Sequence, residues 1–282
     1  MTSTELESSS KRGKIPWIVA VLILVVVLIA IIIVKLVSND ESSEQQAQSP
    51  GPAPASSASN DPDDANEKKN DHGWDSPTAD IFGRNIRVPS NGVGNPLGKA
   101  EAFDSTQCDI SDPLRLTIEQ TSGTQTVWSE SQGPSKVASG GAPVDYSRSA
   151  QAALLSAWND MALFYAGGDI SVEVAKTRFS APNLDKLVDK LEAEGTPKSP
   201  NAVNQSAPDA FRITSCSDDR VIGDVALPMP TDASGDEKSP TWTVVRLAAL
   251  WEDGDWKTQL GSTPQPPEEE IDNLEGWTKW RY

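Results

Sequence analysis

The first apolar signal in the chain is an uncharged run, IPWIVAVLILVVVLIAIIIV, over residues 15–34. At about 1.5 Å per residue, a run of this length matches the ~30 Å hydrocarbon core of a bilayer. Pro16 falls in the first turn, where its missing N–H does no harm, and Trp17 falls at the headgroup edge that indoles prefer. The run passes into Lys35-Leu36-Val37-Ser38-Asn39-Asp40 without the small-x-small site of a cleaved signal peptide. Residues 15–37 therefore read as an uncleaved transmembrane helix. Lys11, Arg12 and Lys14 precede it, while Asp40, Glu41 and Glu44 follow. The positive-inside rule then puts residues 1–14 in the cytoplasm and the remainder outside it.

Residues 38–73 contain almost no large apolar side chain and are rich in Ser, Pro, Ala, Gln, Asn and Asp. Such a stretch cannot bury enough surface to offset its ordering, so a disordered linker is expected. Residues 74–112 hold Ile81, Phe82, Ile86 and Val88 among the turn residues Pro89, Asn91-Gly92, Gly94 and Pro96, and read as an extended arm laid on a domain surface. The domain itself is expected over residues 113–263. Leu114, Leu116 and Ile118 alternate with Arg115, Thr117 and Glu119, the period of a half-buried strand, and residues 124–128 are a second short candidate. Residues 147–165 form the strongest helix signal, with Ala150, Ala153, Leu154, Ala157, Met161 and Phe164 at helical spacing and Gly167-Gly168 as its stop. Pro182 opens a second helix with Leu184, Leu187, Val188 and Leu191 on one face and Gly195 at its end. Strands follow at residues 210–216, 220–227 and 241–251; the last is apolar on both faces and so central. Glu252-Asp253-Gly254-Asp255 is a hairpin turn, returning through residues 256–260. Helices first and an antiparallel meander last predict an α+β domain, helices on one face of a curved sheet. Residues 264–282 are an acidic and aromatic tail.

Charge changes the picture of partners. Of the formal net charge of −17, the first 37 residues carry +2 and the rest −19. An acidic outer domain repels phosphate backbones, which argues against nucleic acid and leaves the bilayer and other membrane or envelope proteins, including further copies, as partners. Both cysteines, Cys108 and Cys216, fall beyond the membrane segment, on the oxidising side, and are a candidate disulfide, with two buried thiols as the alternative.

Candidate chemistry is sparse. The one histidine, His72, lies in the linker, which cannot position an imidazole for a nucleophilic triad, and two distant cysteines with it are too few for a metal site. Asp61, Asp63 and Asp64 lack the later ligands of a calcium loop, and Gly92-x-Gly94 has neither the strand nor the helix of a phosphate-binding turn. Asn204-Gln205-Ser206 is a formal glycosylation acceptor. No catalytic residue, cofactor or metal is expected. The chain has nine tryptophans; Trp128, Trp158, Trp242, Trp251 and Trp256 are core candidates, whereas Trp277, Trp280 and Tyr282 either anchor a partner or fold back over the sheet.

Several motifs, taken in order, resemble a family of actinobacterial single-pass membrane proteins of uncharacterised function. They are Phe82-Gly83-Arg84, Val88-Pro89, Pro96-Leu97, Gly133-Pro134-Ser135-Lys136-Val137, Gly141-Ala142-Pro143-Val144-Asp145-Tyr146-Ser147 before the alanine-rich helix, the hairpin Trp251-Glu252-Asp253-Gly254-Asp255-Trp256, and Gly276-Trp277 with Trp280. The chain departs from that pattern at Val144-Asp145-Tyr146, where Gly-Phe is usual. In layout the family is similar to bitopic scaffold subunits of conjugative and type IV secretion systems. The resemblance implies an outer domain of the nuclear-transport-factor-2-like (cystatin-like) fold and a non-enzymatic assembly role. Some enzymes of that fold work with a carboxylate in a cone-shaped cavity. Asp160 lies within the first helix and could face such a cavity, although a solvated helix face is expected for it; Asp253 and Asp255 are expected as turn chemistry.

Overall fold

The computed structural model describes residues 73–110, 114–199, 206–230, 240–261 and 269–282. The expected cytoplasmic segment, the transmembrane helix 15–37 and the linker up to residue 72 lie outside the described residues. Among those described, no helix is long and apolar enough to cross a membrane. All of them belong to one unit, Lys68–Tyr282, a mixed α+β arrangement of three helices with largely antiparallel sheets.

Its centre is helix α1, Ala150–Ala166. Ser149, extended at φ −138°, starts it by accepting the Ala152 N–H on its hydroxyl. Gly167 and Gly168 end it at φ 72° and 70°, a backbone that disfavours a Cβ. Almost every residue of α1 is buried, which a helix achieves only when covered on several sides. Its alanines let neighbours come close: it packs on β4, Thr124–Trp128, and also on β9, Arg220–Met229, β10, Thr241–Glu252, and β11, Asp255–Gln259.

The larger sheet has the order β13-β8-β9-β10-β11-β7, with β8 at Ala210–Cys216, β13 at Thr278–Lys279 and β7 at Phe179–Ser180; β12, Glu269–Ile271, pairs with β10 off this path. The long apolar strand is interior, as its two-sided pattern predicts, and pairs with β9 from Thr241↔Met229 to Leu250↔Arg220. The expected hairpin turn is built on Asp253 at φ 55° and Gly254 at φ 82°, the left-handed pair that a two-residue turn requires.

Two parts of the architecture differ from the sequence reading. The stretch expected as a surface arm supplies β1, Trp74–Ala79, and β2, Asn85–Pro89, of a four-stranded sheet ordered β1-β2-β3-β4. Strand β2 pairs in parallel with β3, Thr117–Thr121, through Ile86↔Ile118 and Arg87↔Glu119, and Ile86 enters the core. A parallel partner so distant in sequence leaves no local turn signature. A third helix, α2, Asp169–Arg178, follows Gly168 at once, with Asp169 in its first turn and Lys176 and Arg178 in its last. The amphipathic helix α3, Leu184–Glu194, is as expected, and leans Leu184, Val188 and Leu191 on a second cluster around Leu163, Val174 and Phe179. Beside these lies a small two-stranded sheet of β5, Lys136–Val137, and β6, Pro143–Val144.

Candidate functional site

The carboxylate singled out in the sequence, Asp160, is not on a solvated face. It is fully buried at the centre of the domain. Its Oδ1 accepts from Arg178 Nε at 3.1 Å and its Oδ2 from the Thr258 hydroxyl at 2.7 Å. Arg178, at the end of α2, also donates from Nη1 to Asp255 Oδ2 at 2.8 Å, and from Nη2 to Ser156 Oγ at 2.8 Å and the Trp256 carbonyl at 2.6 Å. One guanidinium thus ties α1, α2 and β11 together. Burial pushes the Asp160 carboxyl up to about 6, against the Arg178 charge and the Thr258 hydroxyl, which hold it down. Beside it, the Tyr146 hydroxyl accepts from Asn159 Nδ2 at 2.9 Å, and burial raises that phenol well above its usual range. Asp160 and Ser156 are 0 % exposed and Arg178 is 3 % exposed, so only the Asp255 end of the cluster keeps some surface. Its arrangement is that of an internal pin, with each charge paired.

Asp255 is likewise more than a turn residue. Besides Arg178, it accepts the Asp145 and Tyr146 N–H groups at 2.9 and 3.1 Å, which brings the segment before α1 to the hairpin. Asp253 does serve the turn, bonded to Lys257 Nζ at 2.6 Å.

The aromatic tail folds back. Trp280 is buried, its ring centroid 5.3 Å from that of Phe211, and β13 extends the sheet beside β8. Its indole is spent inside the fold, so of the three candidate contact residues only Trp277 and Tyr282 keep surface. Trp277 lies under the Arg212 guanidinium at 4.6 Å. Tyr282 donates its hydroxyl to the Pro208 carbonyl at 2.5 Å and presents its ring to Arg84 at 5.0 Å.

Arg84 gathers two of the exposed aromatic side chains of the described surface, and nothing in the sequence singled it out beyond its place in Phe82-Gly83-Arg84. It donates from Nε to Asp80 Oδ2 at 2.6 Å, from Nη1 to Asp209 Oδ1 at 2.8 Å, and from Nη2 to the Ala207 carbonyl at 2.9 Å. Asp209 in turn accepts Trp242 Nε1 at 2.8 Å. The β1–β2 turn is thereby fixed against the C-terminus. The exposed Phe82 and Tyr282 rings both lie on Arg84, whose own charge is matched by two carboxylates, and the exposed Ile81 precedes Phe82 in the turn. The Phe82-Gly83-Arg84 motif thus meets Tyr282 from the other end of the described chain. The cavity beneath the turn, between Ala79, Ile81, Ile86 and Gln125, is about 110 Å³, well under the ~300 Å³ at which small-molecule pockets begin.

Cys108 and Cys216 are joined by a disulfide, their Cα atoms 5.9 Å apart, which staples the segment before β3 to the end of β8. Arg148 reinforces the same corner by donating to the Asp104 carbonyl and to Asp218. Among the described residues no group of His, Cys, Asp and Glu is placed to hold a metal ion; His72 lies outside them.

No curated protein and no solved structure matches the chain. A family model does, over residues 87–279, more than half of the sequence. Its span runs from within β2 through β13, and so includes the buried pin, the disulfide and the strand that leads Trp280 into the core. The chain therefore belongs to the family described as Domain of unknown function (DUF8175).

Proposed function

We propose that the protein is a membrane-anchored, non-enzymatic scaffold or assembly subunit, with the apolar run of residues 15–34 crossing the membrane and the α+β domain outside the cytoplasm, in a conjugative-transfer or type IV secretion-like machine. The observation that carries the reading is the Arg84 clasp: a rigid, charge-balanced platform of exposed Ile81, Phe82 and Tyr282, built from two distant segments of the chain. Exposed aromatic anchors held in place by satisfied polar partners are what protein contact surfaces use. The disulfide supports an oxidising compartment, since such bonds are rare in cytosolic proteins. Helix α1 lying on an antiparallel meander supports the nuclear-transport-factor-2-like likeness of the domain.

The test is affinity purification of the detergent-solubilised full chain, wild type against Phe82→Ala with Tyr282→Ala. Transfer-machine components recovered with the wild type and lost with the variant support the role. Unrelated envelope proteins alone, together with unchanged transfer after deletion of the gene, overturn it and favour an envelope-binding module instead.

A further inference from the structure

Glu119 is the least expected residue of the domain. The alternation Leu116, Thr117, Ile118, Glu119 assigns it to a solvated face, yet it is 0 % exposed. That face of the four-stranded sheet is covered by the loop over residues 91–98. Gly94 presses so close to the Trp128 ring that a Cβ there would lie 2.3 Å from it. Under the loop, Glu119 shares its face with Thr126, its register partner on β4, and with Thr121, whose hydroxyls meet at 2.9 Å, and with Trp128, which donates Nε1 to Thr126 at 2.8 Å. All of these are neutral. Glu119 Oε2 accepts the Asn95 N–H at 2.9 Å, and Oε1 has no hydrogen-bond partner.

The charged group facing Glu119 is Arg87, its register partner on β2. Side chains of register partners project from the same side of a sheet. Arg87 nevertheless lies on the Trp74 ring, 3.7 Å from its centroid. Asn95 makes a second connection: while its N–H holds Glu119, its side-chain amide donates to the Gly73 carbonyl, which also accepts from Ser90 N at 3.0 Å. Both routes from this carboxyl end on Gly73 and Trp74, where β1 begins.

We propose that Glu119, Asn95 and Arg87 form a proton-operated latch on the start of β1. With the carboxyl protonated, an orphaned Oε1 is tolerable, the loop stays closed and Arg87 remains on Trp74. An unpaired carboxylate in the same place is far more costly. Once the proton leaves, the nearest compensation is Arg87, and drawing it to Glu119 strips the cation from the Trp74 ring and frees the first turn of β1. Burial sets where this happens, pushing the carboxyl from 4.5 up to about 8, opposed by the Asn95 N–H and by Arg87.

The test is fluorine NMR of the full chain in detergent micelles after labelling with 5-fluorotryptophan, the Trp74 resonance being assigned by Trp74→Phe. Between about pH 6 and pH 9, below most lysine titration, the Trp74 resonance of the wild type is expected to shift with a midpoint near 8, while those of the buried Trp158 and Trp256 stay put. Glu119→Gln fixes the neutral form and should abolish the shift. Arg87→Met leaves the carboxyl but removes the moving cation and should abolish it too, which keeps a readout if Glu119→Gln folds poorly. A wild-type Trp74 resonance that does not move, or one that titrates unchanged in either variant, overturns the latch.

Discussion

Arg178→Met is the sharpest test of how this domain is held together. The substitution keeps most of the aliphatic bulk and removes the guanidinium that serves Asp160, Asp255, Ser156 and the Trp256 carbonyl. Asp255 retains the Asp145 and Tyr146 N–H groups. Asp160 retains only the Thr258 hydroxyl, in full burial. Breaking a buried pair by removing one partner costs about 3–5 kcal/mol, because the remaining charge is uncompensated. The pH dependence gives the argument its sign. The Asp160 carboxyl already stands raised to about 6 in the wild type, chiefly by burial, and Arg178 is the charge that holds it down. A carboxyl raised in the folded state contributes stability that is complete below its unfolded value of about 4 and is lost as pH rises through the folded value. Removing Arg178 moves the folded value higher. The variant therefore suffers its full penalty near neutrality and a smaller one near pH ~4, where Asp160 is neutral in both proteins. The residue at low pH should be the lost guanidinium hydrogen bonds to Asp255, Ser156 and the Trp256 carbonyl, about 1 kcal/mol each. Urea unfolding followed by tryptophan fluorescence reads this out, since Trp158 and Trp256 are buried. Adding Asp160→Leu to Arg178→Met should restore part of the loss, the mark of direct coupling. A loss below ~1 kcal/mol near neutrality, or one independent of pH, would refute the picture of an ion-paired pin.

Trp280→Ala should cost about 3–5 kcal/mol and lower the melting temperature, because it empties the site against Phe211; an effect of a few tenths would mean the tail does not pack there. Reducing the Cys108–Cys216 bridge should slow the protein on a non-reducing gel. By the chain-entropy relation it should remove about 5 kcal/mol, given the sequence separation of 108; an unchanged urea midpoint would contradict this. Glu119→Gln should stabilise the domain increasingly from pH 4.5 to about 8. In the wild type a raised carboxyl is stabilising below its ordinary value and loses that contribution as pH climbs to the folded one. At about 1.4 kcal/mol per pH unit the upper bound is near 5 kcal/mol, and a difference between variant and wild type that is flat with pH would refute the buried-acid assignment. Gly94→Ala combines φ 115° with a Cβ 2.3 Å from the Trp128 ring, so calorimetry should show a drop of about 1–3 kcal/mol, and a neutral result would mean the loop rides higher than described.

Much of the secondary structure was legible because it depends on neighbours along the chain. The alanine period and the Gly167-Gly168 stop mark α1, the leucine face marks α3, and the two-sided apolar run before Asp253-Gly254 marks an interior strand with its hairpin. Helix α2 carries a weaker local signal. Ile170 and Val174 stand four apart between Asp169 and Arg178, but the Gly-Gly stop before them and the exposed Lys176 and Thr177 mask the period.

The candidate site divides the same way. Sequence alone determined the long apolar run with its flanking charges, an acidic remainder, a single histidine and two cysteines, and the presence of an α+β domain ending in aromatic residues. Each of these is a local or additive property, written in residue type and period. Only the tertiary structure decided which carboxylates are buried: Glu119 by a loop from residues 91–98, and Asp160 by Arg178 from another helix. It also decided that residues 74–89 are sheet rather than arm, through a parallel pairing with β3, that Arg84 joins the first turn to the C-terminus, and that Trp280 belongs to the core. The physical reason is common to all of them. Burial and pairing are set by whatever covers a residue in space, and in each of these cases the cover comes from a segment far along the chain, beyond the reach of any local period.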